Sequence, residues 1–282
     1  MPSKPLKKTA RCREEYKDFF AAADRCLRLG KNIINSLDKL KFIDRSLSKY
    51  QIILGFNFYK ATNSFRAVMQ LCSKGYCGDA MAIARKMIEI AVNLKYLSLS
   101  IDKRTDLYCS FASISHDKLM EDIRRETSES EEVSFSNKIL KQIEEMNPKI
   151  AKACEIIKQE YKRDRDGRID WKIAANWSGI SLKKMAEKCQ MTEDYIAYRV
   201  YSSKVHASIE EIVSHYDFDS GHFSFELEKK DIPWVLMETM KMYAIICTLV
   251  IKAFGFEQAD AIKTVNDKLK KLKEHPMLSK VQ

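Results

Sequence analysis

Residues 79–98, DAMAIARKMIEIAVNLKYLS, decide the fold expected for this chain. Apolar side chains occupy most of the circumference of a helix drawn through this stretch, and Arg85, Glu89 and Tyr96 take the remaining arc. A helix that is apolar almost all round has to be covered by other elements. It is therefore expected to lie at the centre of a helical bundle.

The sequence on both sides of this central helix continues the helical pattern. Apolar residues recur at spacings of three and four, and Gly or Pro stands near several of the helix ends. The pattern predicts further helices over residues 14–40, 44–73, 105–125, 137–161, 182–189, 193–213, 234–254 and 257–273. Residues 215–232 show strand-like alternation instead, which predicts a small irregular or hairpin insertion.

Capping residues mark several of these boundaries. Gly75 is placed to end the second helix, and Pro233 is placed to begin the helix over 234–254. Asp79, Ser181 and Thr192 are the predicted N-caps of the helices that follow them.

The composition agrees with an all-α fold. The chain has 282 residues, of which 45% are hydrophobic, and only 8 Gly and 5 Pro, so it has few of the turns that an all-β fold needs. We expect an all-α bundle of about seven or eight helices. A single helical domain is predicted over 14–256, between a basic tail over 1–13 and a basic C-terminal helix and tail over 257–282.

The formal net charge of +10 favours a polyanionic partner such as nucleic acid. Much of this charge lies near the two ends, over 4–13 and 263–273, so the alternative interpretation is that the ends serve solubility.

The 8 cysteines form no Cys-x-x-Cys pair, and no His pair has helical metal-ligand spacing, so no metal or cofactor is expected. The scattered cysteines favour a reducing cytoplasm. The uninterrupted apolar run over 242–251 is too short to span a bilayer, so the helix containing it is interpreted as a buried core helix and no membrane partner is expected.

An unusual row of polar side chains lies on the helix predicted after Thr192. At about 100° per residue, Tyr195, Arg199, Ser202 and His206 fall within an arc of roughly 60° and a length of about 16 Å. A phenol, a guanidinium, a hydroxyl and an imidazole in one row form neither an ordinary apolar face nor an ordinary solvated one. Either these groups satisfy one another and water, or they face a functional groove.

Arg85 and Glu89 on the central helix also have two interpretations. Since they are four residues apart, they can form an ion pair at the edge of the core. Alternatively, Arg85 lines the same groove as the polar row, with Glu89 fixing its orientation.

Three segments together carry a family resemblance. AMAIARKMIEIAVNLKYL (80–97), WSGIS (177–181) and the pattern Y-x-x-Y-x-x-Y-S-S-x-V-H (195–206) resemble a bacterial helical family, domain of unknown function 5677, over about residues 50–255. That family shows an Arg-x-x-x-Glu helix followed by a Tyr…Ser-x-x-Val-His helix.

A looser resemblance is to the HEPN superfamily of helical domains, many of which are metal-independent ribonucleases carrying Arg, four to six residues, then His. Arg199 and His206 are separated by six residues. The resemblance implies that His206 acts as general acid or base and that Arg199 stabilises the charge of the transition state. HEPN nucleases usually carry a polar residue after the Arg, whereas Val200 follows Arg199 here, and their site usually forms across a dimer.

Two functional hypotheses follow. In the first, the chain is a HEPN-like endoribonuclease, a toxin or phage-defence effector, in which Arg199 and His206 are catalytic and Tyr195, Ser202, Ser203, Arg85 and Glu89 assist. RNA is then the expected partner, with a homodimer and a regulatory protein as further candidates. In the second, a non-catalytic helical module binds a partner protein, nucleic acid or an anionic ligand through the same groove.

Overall fold

The computed structural model of the protein describes residues 9–40, 47–111, 176–205, 216–217, 221–223 and 229–279. The chain divides into two compact units, the first made of Met1–Tyr96 with Ala186–Gln282 and the second of Leu97–Met185. Regular structure in the described residues is almost entirely helical, which confirms the predicted all-α class. The domain limits predicted from the sequence stay predictions.

The first unit begins with helices α1 (Thr9–Glu15), α2 (Lys17–Leu40) and α3 (Lys49–Lys74), and most of α4 (Cys77–Ser98) follows. The helix expected over 14–40 therefore starts earlier and is interrupted at Tyr16. There the carbonyl accepts from the amides of both Phe19 and Phe20, which tightens the turn. Residues 9–13, expected in the basic tail, are helical, and Cys12 is fully buried.

The ends of α3 follow from its sequence. Ser48 and Gln51 form a capping box, in which each side chain bonds the backbone of the other residue. Gly75 ends the helix in the left-handed conformation at φ 84°, as its position predicted. The next helix begins at Cys77, so Asp79 lies within its first turn and is not the predicted N-cap. An acidic residue in a first turn is still favourable, because it meets the positive end of the helix dipole.

Helix α8 (Ile232–Phe254) forms the core of the first unit and packs against α2, α3 and α9 (Ala259–Lys273). Phe58 and Phe65 of α3 lie against Tyr243 of α8, with ring centroids 6.0 and 4.9 Å away. By length and composition, α8 is the one helix in the described residues that could cross a membrane, and just over half of its most apolar window is buried within the protein. The predicted buried core helix is thus observed, with Pro233 near its start.

In the second unit, helix α5 is described over 101–111, and α6 (Leu182–Lys188) begins there. Tyr108 packs edge-on against Trp177, with ring centroids 5.1 Å apart. The Ser181 side chain accepts from the amide of Lys184 at 3.3 Å, so the predicted N-cap is confirmed.

The remaining elements belong to the first unit. Helix α7 (Thr192–Val205) carries most of the predicted polar row, and Thr192 is its first residue, not the residue before it. Strands β1 (Tyr216–Asp217) and β2 (His222–Phe223) pair antiparallel, with Gly221 at φ 67° between them. This is the small hairpin expected near residues 215–232. A short helix, α10 (Pro276–Ser279), follows α9.

Candidate functional site

Helix α7 has one buried face and one exposed face. Asp194, Ala197 and Tyr201 point inward and are at most 4% exposed. The opposite side presents Arg199, Ser203, Ile196 and Val200 to solvent, and the last two are 60% and 51% exposed. Because the outer side is not needed for packing, its side chains are available to meet a ligand.

The described part of the predicted row extends from the border between these faces, at Tyr195 and Ser202, onto the outer face at Arg199. Tyr195 and Ser202 are partly exposed and Arg199 is exposed. Among the described residues, Arg199 forms no ion pair and no side-chain hydrogen bond. Its guanidinium therefore keeps all its donors for an anion. His206, the other predicted catalytic residue, lies outside the described residues.

The two serines of α7 bond to their own helix. Ser202 donates its hydroxyl to the carbonyl of Tyr198 at 2.7 Å, and Ser203 donates to that of Val200 at 2.8 Å. Each hydroxyl proton is thus engaged, while the oxygen can still accept a hydrogen bond. This geometry suits a supporting role for Ser202 and Ser203 better than a nucleophilic one.

Arg85 reaches helix α7 from α4. Its Nη2 donates to the hydroxyl of Tyr198 at 3.2 Å, and its guanidinium carbon lies 5.0 Å from the centroid of the same ring. This contact places Arg85 against α7, and its predicted place in the groove of the polar row stays a prediction. Glu89 does not fix its orientation, since Glu89 is exposed and no ion pair joins it to Arg85 among the described residues. Four-residue spacing permits such a pair, but Tyr198 competes for the guanidinium.

Tyr198 is the residue of this region that the sequence analysis missed. Its ring stacks with that of Tyr195, with centroids 5.7 Å apart and planes inclined by 20°. The Y-x-x-Y spacing was the available signal, because residues three apart are neighbours on a helix surface. Arg85, Tyr198 and Tyr195 thus form a continuous series of contacts, which we call the tyrosine stack.

A second polar cluster lies beneath α7, against α8. Asp194, only 3% exposed, forms an ion pair with Lys241 at 2.5 Å. The hydroxyl of Tyr201 and one carboxylate oxygen of Glu238 are buried and find no hydrogen-bond partner among the described residues. We call these four residues the interior cluster. Its sequence signal was Glu238 and Lys241 within an otherwise apolar helix.

Burial sets the protonation of the interior cluster. Burial, helped by the neighbouring charges of Asp194 and Glu193 and opposed by those of Lys241 and Lys273, raises the pKa of Glu238 to about 7. Burial lowers the pKa of Lys241, but its hydrogen bond with Asp194 and the charge of Glu238 leave that pKa above its usual value. Burial likewise raises the pKa of Tyr201 well above its usual value. Because the ion pair of Asp194 with Lys241 joins α7 to α8, the cluster anchors the first turns of α7.

Within the described residues, no group of three or more His, Cys, Asp or Glu side chains is arranged to hold a metal ion.

Comparison with known proteins gives one match. The model of a family of unknown function, DUF5677, matches residues 51–223, a span that includes all but the first two residues of α3, and the whole of α4 and α7. It ends earlier than the region of about 50–255 expected from the sequence motifs. No curated protein and no solved structure matches the chain.

Proposed function

The chain belongs to a family of unknown function, DUF5677, so its own residues have to indicate the activity, and we propose that it is a metal-independent endoribonuclease. Arg199 and His206 are the proposed catalytic pair. The observation that carries the proposal is Arg199, an exposed guanidinium with all its donors available, at the edge of a face shared with Tyr195 and Ser202. The looser resemblance of the Arg199-to-His206 spacing to HEPN ribonucleases supports the same assignment.

The proposed reaction is attack of an RNA 2′-hydroxyl on the adjacent phosphate, with loss of the 5′-oxygen. His206 either takes the proton from the 2′-hydroxyl or gives one to the leaving 5′-oxygen, and water carries out the other transfer. Arg199 binds the non-bridging oxygens, whose negative charge increases in the transition state. The net charge of +10 assists the approach of RNA. A cytoplasmic toxin or phage-defence effector is the biological setting that we propose.

The test is cleavage of a mixed tRNA and mRNA pool in EDTA. We expect the parent to cleave, and Arg199→Ala and His206→Ala each to lose about 100-fold or more of the rate, the usual contribution of a general acid–base or charge-stabilising group. Arg28→Ala, which removes an exposed guanidinium from α2, is the matched control and should cleave like the parent.

Melting temperatures accompany the cleavage assay. Arg199→Ala should have the same melting temperature as the parent, because the Arg199 side chain makes no contact that the fold requires. We expect the same of His206→Ala. Equal cleavage by parent and both variants would point to a co-purifying nuclease and contradict the proposal, as would activity that EDTA abolishes.

A binding module without catalysis is the second candidate function. It is favoured by the exposed apolar side chains of Ile196 and Val200 beside Arg199, which would suit contact with a partner protein. Absence of turnover at high enzyme concentration, together with weaker RNA binding by Arg199→Ala, would favour this alternative.

A further inference from the structure

The three residues of the tyrosine stack lie in a fixed order, which the catalytic proposal does not use. Arg85 lies at one end, hydrogen-bonded to the hydroxyl of Tyr198, and Tyr195 lies at the other. Both tyrosines are partly exposed. The inner ring is thus held from behind by a cation, and the outer ring is held by the inner one.

A supported aromatic ring is a suitable surface for a nucleobase. Base–aromatic stacking needs a ring whose position is already fixed, because each torsion that freezes on binding reduces the affinity. Tyr198 and Arg85 supply that restraint through a near-parallel ring contact of 5.7 Å and a hydrogen bond of 3.2 Å. Any of the bases can stack, so such a surface is tolerant of sequence.

The position of the outer ring relative to Arg199 is equally relevant. Tyr195 and Arg199 are four residues apart on α7, so their Cβ atoms are neighbours about 6 Å apart on one side of the helix. A phosphate bound by Arg199 therefore places an adjoining base within reach of the Tyr195 ring. A paired base is already stacked inside a duplex and is not available for this contact.

We propose that Tyr195 is a stacking subsite for one unpaired base of single-stranded RNA, next to the phosphate held by Arg199. This inference rests on the proposed function, since it takes RNA as the ligand of α7. It assigns the Tyr195 ring, not its hydroxyl, as the group that recognises the strand. It also predicts that the protein prefers single strands and loops over continuous duplex.

The experiment measures binding of two fluorescein-labelled RNAs, a 12-nucleotide single strand and a blunt duplex of the same sequence. All proteins carry His206→Ala, and gels verify that the probes stay intact. Tyr195→Ala should bind the single strand at least about fivefold more weakly than its parent, the lower limit for loss of one stacked base. Binding to the duplex should not change.

Two variants control for side effects. Tyr195→Phe keeps the ring and should bind within about twofold of its parent, because stacking does not need the hydroxyl. Tyr59→Ala removes an exposed tyrosine from α3, where its hydroxyl bonds Asp38, and should also bind normally.

The outcomes separate the two proposals. Unchanged single-strand affinity in Tyr195→Ala would overturn the stacking subsite and leave the ribonuclease proposal intact. An equal loss on single strand and duplex would also overturn it, because the contact would then not be with an unpaired base. If the His206→Ala parent bound neither RNA, the subsite would be overturned. The cleavage assay on the protein that keeps His206 would then decide the function separately.

Discussion

At Gly30, helix α2 approaches α8 so closely that a Cβ atom would overlap the Tyr243 hydroxyl. That hydroxyl is buried and lies 2.8 Å from the hydroxyl of Thr62. Because Thr62 donates its one proton to the carbonyl of Phe58, Tyr243 is the donor in this hydrogen bond. A glycine inside a long helix can mark a kink. In the structure α2 runs through this position from Lys17 to Leu40, so the glycine serves close packing.

Gly30→Ala should therefore destabilise the protein. The added methyl group displaces Tyr243 from its bond with Thr62, at a cost of about 1–3 kcal/mol in the free energy of unfolding. Gly55→Ala is the matched control, since nothing lies within 4 Å of a Cβ atom there, and it should gain about 0.5–1 kcal/mol. Urea denaturation measures both changes. An unchanged free energy of unfolding in Gly30→Ala would mean that Tyr243 can move aside without cost.

At the scale of elements, the junction of α7 with α8 combines a buried ion pair and a buried carboxyl group. Lys241 neutralises Asp194, but one Glu238 oxygen and the Tyr201 hydroxyl stay without partners in the described part of the chain. Unpartnered buried polar groups cost about 1–3 kcal/mol each. Protonation of Glu238 reduces this cost, because a neutral carboxyl group is less expensive to bury.

The protein should lose stability as the pH rises from about 5 to about 8. Burial raises the pKa of Glu238 from 4.5 to about 7, so the folded state retains a proton that the unfolded state releases. This contribution, on the order of 3 kcal/mol, is complete below pH 4.5 and is lost as the pH rises to 7.

Glu238→Gln tests this assignment, because the amide keeps the shape but does not titrate. Its melting temperature should change less with pH and should exceed that of the parent at pH 8. Exposed Glu257→Gln is the control and should follow the parent. An unchanged pH dependence in Glu238→Gln would show that other groups cause it.

Elements set by local chemistry were predictable from the sequence. The Ser181 cap, the end of α3 at Gly75 and the buried course of α8 each depend on a few neighbouring residues or on one apolar pattern. Contacts between helices were not predictable in the same way. Arg85 contacts Tyr198 and not Glu89, and Glu238 is buried. Both outcomes depend on the neighbouring helix, which determines the groups that each side chain contacts.

On the scale of the whole molecule, α8 has the length and composition of a membrane-spanning helix, yet it is covered by α2, α3 and α9. We expect the expressed protein to stay in the supernatant after ultracentrifugation without detergent, because the apolar side of α8 is already buried by protein. Sedimentation with membranes, with release only by detergent, would contradict this expectation.

The net charge of +10 gives a second prediction at this scale, one that rests on the proposed function. RNA binding should weaken steeply as salt rises from about 50 to about 200 mM, because each phosphate contact releases counterions. Arg199→Ala should lower the slope of log Kd against log salt by about one unit relative to the parent, whereas Tyr195→Ala should leave it unchanged. A salt-independent affinity would argue against binding to the RNA backbone.

Helix α7 is anchored through Asp194, Ala197 and Tyr201, while Ile196, Arg199 and Val200 face outward. Exposed substitutions away from such anchors usually change stability by no more than about 0.5 kcal/mol. The outer surface can therefore accumulate changes at little cost to folding.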